Sequence, residues 1–319
     1  MPDSHSTASH STQVIVFIGP GGVGKTTLSS AFAVKESRIH RDKKYKLITI
    51  DPSKRLRDVF SMGFDEKEKQ ISENLTVSLN QRDELFKSFL ESSLIEGGLL
   101  DDFYKSRILK SLLDDLAISQ EFTTFYEIYT SVKSQKYDHI IIDTPPLQNT
   151  ADFMTSVDKL ESLFSSAILS LFLAGAKDNN FFYRMIHASR QISFRLLRKL
   201  TGEDFVEELE VFFKVTELLR LRILDIVKES KTILAKSSSF YLVCNHTELS
   251  LRAMSLSLWA LKKNEKIRLK KAYINKYDPE AFDVVNKALS QVKQEIEISL
   301  INKTNKNLRD LKNLEELLK

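Results

Sequence analysis

The chain has 319 residues, 42% hydrophobic and 28% charged, with a formal net charge of only +4, an ordinary balance for a globular α/β protein. Charge that weak and that evenly spread gives no footprint for nucleic acid, and no apolar run approaches the roughly 20 residues of a membrane helix. A single cysteine, Cys244, excludes an internal disulfide and any CxxC metal cluster, and the six histidines show no ligand spacing.

The opening stretch "MPDSHSTASHST" is polar and lacks the apolar core of a secretory signal. It reads as a disordered tail over 1–12, and the chain is expected in the cytoplasm. Apolar runs then alternate with helical patterns, which predicts an α/β fold with a mostly parallel sheet flanked by helices. Strands are predicted over Val14–Ile18, Lys46–Ile50, Leu75–Leu79, His139–Ile142, Ser239–Cys244 and Ala272–Ile274. The stretches 85–132 and 157–236 contain no proline and read as helix. The final "LRDLKNLEELLK" places Leu308, Leu311, Leu314 and Leu318 along one helical face. Its mixed polar face and lack of an aromatic anchor argue against membrane binding and for docking on its own domain or on a partner.

The first predicted strand runs into Gly19-Pro-Gly-Gly-Val-Gly24-Lys25-Thr26, the phosphate-loop pattern G-x-x-x-x-G-K-[ST] in its required strand-to-helix setting. The backbone amides of Gly21, Gly22, Val23 and Gly24 are expected to cradle phosphate at a helix N-terminus. Lys25 would reach the β- and γ-phosphates, the Thr26 hydroxyl would ligate Mg²⁺, and Thr27 belongs to the same turn. Of nine glycines, four lie within Gly19–Gly24. Two further strand ends carry acids. In "TIDPSKRLRDVF", Asp51 is positioned to orient the water that attacks a γ-phosphate. In "HIIIDTPPLQNT", Asp143 ends a strand apolar on both faces and has the position of the acid that holds Mg²⁺.

With these motifs placed, the chain resembles the ArsA family: the arsenite-pump ATPases and their relatives that target tail-anchored membrane proteins, within the wider group that includes MinD and ParA. The resemblance covers most of the chain and rests on "GPGGVGKTTLS", "TIDPSKRLRDVF", "YDHIIIDTPPLQNTADF" and "FYLVCNHTELSLRAMSLSLWALKK" leading to "AYINKYDP". It implies a single P-loop ATPase domain over 13–319 with a helical subdomain over about 157–236. It also implies Mg²⁺ and ATP as ligands, Asp51 as the catalytic switch I aspartate, Asp143 as the switch II acid, and Asn275 as the purine contact. A client or partner protein, a hydrophobic groove in the helical region and a nucleotide-sandwich homodimer belong to the same implication.

Two departures stand out. The family's additional loop lysine, which reaches the partner's phosphates in a dimer, is replaced by Pro20, and one cysteine cannot build a three-thiolate arsenite site. Lys54, Arg55 and Arg57 lie close after Asp51. Arg55 or a neighbour is a candidate for charge supplied in cis, against the alternative that all three are solvated or paired. Asn275-Lys276-Tyr277-Asp278 spells N-K-x-D, the pattern by which many GTPases select guanine through an aspartate, so Asp278 is a second base-reading candidate. The expected function is a Mg²⁺-dependent, ATP-hydrolysing switch that controls a partner protein. The alternatives are a nucleotide switch with little hydrolysis, a positioning ATPase of the MinD or ParA kind, and a GTP-specific variant.

Overall fold

The six apolar runs form strands, and two further strands join them. In the computed structural model, residues 12–49, 54–63, 66–79, 81–105, 120–144, 203–263, 268–290, 296–304, 308 and 310–318 are described. The strands are β1 (Gln13–Ile18), β2 (Tyr45–Thr49), β3 (Glu68–Ser72), β4 (Leu75–Leu79), β5 (His139–Asp143), β6 (Ser238–Asn245), β7 (Leu269–Tyr277) and β8 (Glu297–Asn302). They make one eight-stranded sheet in the order β3-β4-β2-β5-β1-β6-β7-β8. Every neighbouring pair is parallel except β3–β4.

The two strands missed by sequence reading are the two edges. All five residues of β2 are buried, whereas β3 (Glu-Lys-Gln-Ile-Ser) alternates exposed and half-buried positions, and β8 buries only Ile301. A strand covered on both faces announces itself as a continuous apolar run, but an edge strand does not.

Helices follow the strands: α1 (Lys25–Ile39), α2 (Lys54–Phe60), α3 (Arg82–Glu96), α4 (Leu100–Lys105), α5 (Gln120–Lys133), α6 (Glu203–Ser237), α7 (Glu248–Lys263), α8 (Phe282–Ser290) and α9 (Leu311–Glu316). The chain divides into two compact units, Met1–Gln81 with Glu127–Ser156 and Glu229–Lys319, and Arg82–Tyr126 with Val157–Lys228.

In the first unit α1 lies against the sheet with small buried residues, Ser29, Ser30, Ala31 and Ala33, which let its backbone approach closely. The Phe17 ring is stacked on Tyr241 at 5.3 Å between centroids and meets Phe32 edge-on at 5.6 Å. Burial pushes the Tyr241 phenol up to about 12. A buried ion pair seats α5 on the sheet. Lys46 Nζ lies 3.8 Å from Glu127 Oε1, which also accepts from Ser78 Oγ at 2.7 Å, so both charges keep the partners that burial demands.

The C-terminal amphipathic stretch docks on its own unit. Leu314 of α9 is fully buried in the α1-side core, with Leu308, Leu311, Leu317 and Leu318 packed against it. Lys35 Nζ donates to the Leu318 carbonyl at 2.9 Å, and Arg38 of α1 pairs with Glu315.

The second unit has its own core. Phe89 of α3 meets Phe122 and Tyr126 of α5 edge-on at 4.9 and 5.5 Å, and Val215, Leu219 and Ile223 of α6 are buried. The expected helical region over about 157–236 is described from Glu203 onward, where it is the single helix α6. The stretches "AILSLFLAGA" and "NNFFYRMI" lie outside the described residues, as does the tail before Thr12. Among the described residues no helix is long and apolar enough to cross a membrane.

Candidate functional site

The predicted loop is the connection from β1 to α1, at the carboxyl edge of the central strand, where open α/β sheets bind ligands. Two glycines fix its path. Gly19 has φ +149°, and a Cβ there would overlap the Val243 carbonyl oxygen of β6. Gly24 has φ +95°, and a Cβ there would strike the Asn275 side-chain amide. Neither site admits a side chain. Gly21 and Gly22 face solvent, and Val23 turns into the core.

Gly24 is the N-cap of α1, which carries neither a side-chain cap nor an acid in its first turn. The first intrahelical bond is Leu28 N–H to Gly24 O at 3.0 Å. The first-turn amides therefore precede the helix ladder, and the positive end of the dipole suits an anion. Lys25 is buried, and its ammonium donates back to the carbonyls of Gly19 and Pro20, 2.9 Å each. A lysine held in the loop's own concavity at a helix N-terminus has the donors and charge that suit a phosphate.

Beneath the loop, two hydroxyls converge on one carboxylate. Asp143, fully buried at the end of β5, accepts from Thr26 Oγ1 at 2.7 Å and from Thr49 Oγ1 at 3.1 Å, both at Oδ2. Register sets this up: Phe17 and Thr49 flank Asp143 in the neighbouring strands. Thr144 then ties the end of β5 to β1, its hydroxyl donating to Phe17 O at 2.8 Å. Thr26 and Asp143 are hard oxygen donors and fit Mg²⁺, which takes few protein ligands and completes its shell with phosphate and water. Consistently, no group of three or more His, Cys, Asp or Glu side chains gathers as a metal cage among the described residues.

On the other flank, β7 reaches the loop. Asn275 Nδ2 donates to Val23 O at 2.8 Å, and Lys276 Nζ donates to Gly22 O at 3.2 Å. Asp278 is exposed, and its carboxylate accepts from Glu280 N–H at 3.1 Å, capping a short 3₁₀ turn over Pro279–Ala281.

Lys25, Thr26, Asp143 and Asn275 are thus brought together around the loop, and Asp278 stands beyond it as a cap. Asp51 lies outside the described residues, and Arg55 belongs to α2 without a described side chain. Arg57 Nη1 donates to Gly63 O at 2.9 Å, the paired alternative weighed for that cluster. Thr49 and Lys276 went unnoticed as site residues, whereas Thr144 opens the segment from Thr144 to Thr150 expected to sense the γ-phosphate. A hydroxyl near the end of the predicted strand Lys46–Ile50, two residues before Asp51, was the available signal for Thr49. Cys244 is a buried thiol in β6, 3.5 Å from the Met254 sulfur, and burial pushes it up to about 12. It packs as a small apolar residue and is not a reactive group.

Comparison with known proteins agrees with this geometry. The anion-transporting ATPase family model matches residues 12–317. A putative arsenical pump-driving ATPase 2 of Aquifex aeolicus is 29% identical over 274 residues, covering 84% of this chain and 81% of that protein. ATPase GET3 of Kluyveromyces lactis is 27% identical over 175 residues, and that of Paracoccidioides lutzii 32% over 151. These two matches span about half of each chain, 51% and 50% for the first, 46% and 43% for the second. The chain belongs to the anion-transporting ATPase family and is a P-loop ATPase with that family's mostly parallel, helix-flanked sheet.

Proposed function

We propose that this ATPase binds Mg²⁺-ATP on the Gly19–Thr27 loop, hydrolyses it, and uses the cycle as a conformational switch that controls a partner or client protein in the cytoplasm. The observation that carries the reading is the buried hydroxyl–carboxylate bond of Thr26 and Asp143 directly beneath an uncapped helix N-terminus.

In this reading the amides of Gly21, Gly22, Val23 and Gly24 and the first turn of α1 hold the phosphates, and the Lys25 ammonium neutralises them. Thr26 and Asp143 would hold Mg²⁺, which supplies charge neutralisation across the β- and γ-phosphate oxygens when bound. Asp51 orients the attacking water and accepts its proton, and Arg55 adds positive charge near the transferring group. Asn275 would read the base, with Asp278, three residues on, as the second candidate. The segments following Asp51 and Asp143 respond to the γ-phosphate, and their two arrangements are what a partner reads. Pro20 brings no ammonium to the position where the family carries its additional lysine. Hydrolysis without that lysine would therefore not depend on a partner copy's loop, and a homodimer would serve the switch and not the chemistry. With one cysteine, already buried, this chain cannot assemble a three-thiolate arsenite site.

The test is phosphate release from Mg²⁺-ATP and Mg²⁺-GTP by the wild type, Lys25→Ala and Asp51→Ala, with nucleotide binding measured on the same samples. Turnover with ATP that is lost in both variants supports the reading. Tight binding with no turnover would leave a nucleotide-gated switch, the second reading, which Pro20 favours. Preference for GTP would move base selection to Asp278.

A further inference from the structure

The phosphate loop is held from outside by a strained corner of β7 whose chemistry the nucleotide reading does not use. Lys276 has φ +55°, in the left-handed region that a residue with a long side chain seldom occupies. The register of β7 against β8 slips at this same place, between Asn275 and Tyr277. Bulges of this kind re-aim a side chain, and backbone strain persists only where the surroundings over-determine it. Here they do. Lys276 N–H donates to Asn275 Oδ1 at 2.9 Å, His246 Nδ1 donates to Lys276 O at 2.7 Å, and Lys276 Nζ reaches Gly22 O at 3.2 Å.

The consequence follows from peptide geometry. In a trans peptide, the carbonyl of one residue and the N–H of the next point in opposite directions. Lys276 draws the Gly22 carbonyl toward β7, and Asn275 draws the Val23 carbonyl the same way. The N–H groups of Val23 and Gly24 must therefore turn away from β7. Two successive amides with their carbonyls anchored behind them form the kind of concavity that binds an anionic oxygen.

We infer that Lys276 is a positioning residue for phosphate binding: acting in cis with Asn275, it sets the orientation of the Val23 and Gly24 amides by holding the Gly22 carbonyl behind them. The inference rests on the loop being the nucleotide site. It also gives the Asn275-Lys276 pair a role in holding phosphate that is independent of which base is bound.

Three substitutions separate charge from backbone strain. Lys276→Met keeps the stem and removes the donor, Lys276→Arg keeps a donor, and Lys276→Gly relieves the left-handed strain without a donor. Calorimetric titration of the full chain with Mg²⁺-ATP, Mg²⁺-ADP and AMP, beside steady-state kinetics, reads the effect. Lys276→Met is expected to weaken ATP and ADP about tenfold and AMP less than about twofold, since AMP lacks the β-phosphate that the aligned Val23 and Gly24 amides would take. The loss falls mainly on KM, Lys276→Arg recovers most of it, and Lys276→Gly resembles Lys276→Met. Unchanged ADP affinity in Lys276→Met, with wild-type binding intact, overturns the inference alone. An equal loss for AMP also overturns it, by assigning Lys276 to the nucleoside or α-phosphate and not to the β-phosphate. A wild-type protein that binds no nucleotide overturns the site reading and the inference together.

Discussion

The phosphate loop is gripped on two flanks that differ in kind. On the side of β5 and β2 the grip is buried: Thr26 and Thr49 share one carboxylate oxygen of a fully buried Asp143. On the side of β7 it is partly exposed and strained: Asn275 and Lys276 hold two successive carbonyls from a bulge. The buried flank works with hydroxyls and a carboxylate where water does not compete, so its geometry tolerates little change. The exposed flank adjusts orientation and charge, and its loss is graded. In the proposed cycle one flank would serve metal and chemistry, and the other affinity.

Substitutions test that division in descending order. Gly19→Ala sets a methyl against the Val243 carbonyl at a φ of +149° and displaces the loop from both flanks. Nucleotide binding is expected to be lost, with a destabilisation of about 3 kcal/mol on thermal or urea melting. Asp143→Asn preserves an acceptor for both threonines but removes the charge, so Mg²⁺-dependent turnover should fall by a factor on the order of 100 while the fold survives. A smaller change there would mean that the buried flank is structural. Gly24→Ala presses on the Asn275 amide and leaves Asp143 untouched. It should weaken nucleotide binding by about tenfold through the exposed flank, matching the loss expected at Lys276. Thr49→Val deletes one of two bonds to Asp143 Oδ2 and should cost about 1 kcal/mol of stability and only a few-fold in turnover. Leu314→Ala is the control at the bottom of the scale. It empties a fully buried site in α9 and should lower stability by about 3 kcal/mol with nucleotide affinity unchanged, as calorimetric titration would show.

The central strands and the loop were legible because their constraints are local. A strand buried on both faces must be apolar throughout, and a loop that turns its amides inward must have glycine where a Cβ would collide. The edge strands β3 and β8 were not, since half-exposed residues carry no such signature and only pairing with β4 and β7 makes them strands. The leucines of the C-terminal stretch predicted an amphipathic helix, but its seat on α1 depended on Lys35, Arg38 and the α1-side core, far away in the chain. "NKYD" shows the limit most sharply. It reads as a base-selecting pattern, and the letters do not disclose that Asn275 and Lys276 also donate to the loop carbonyls of Val23 and Gly22 while Asp278 accepts from Glu280 N–H.

What the sequence by itself determined is the chemistry available: a phosphate loop, a lysine and a threonine at its end, and acids at two strand ends, because residue type and short-range spacing fix which groups a turn can present. What the tertiary structure decided is which groups meet. The strand order brings β5 and β2 together beneath Thr26 and carries β7 across to Gly22 and Val23. Those approaches span 117 and 252 residues of chain, and hydrogen bonds at such separations are set by the packing of the whole sheet and by no pattern readable along it.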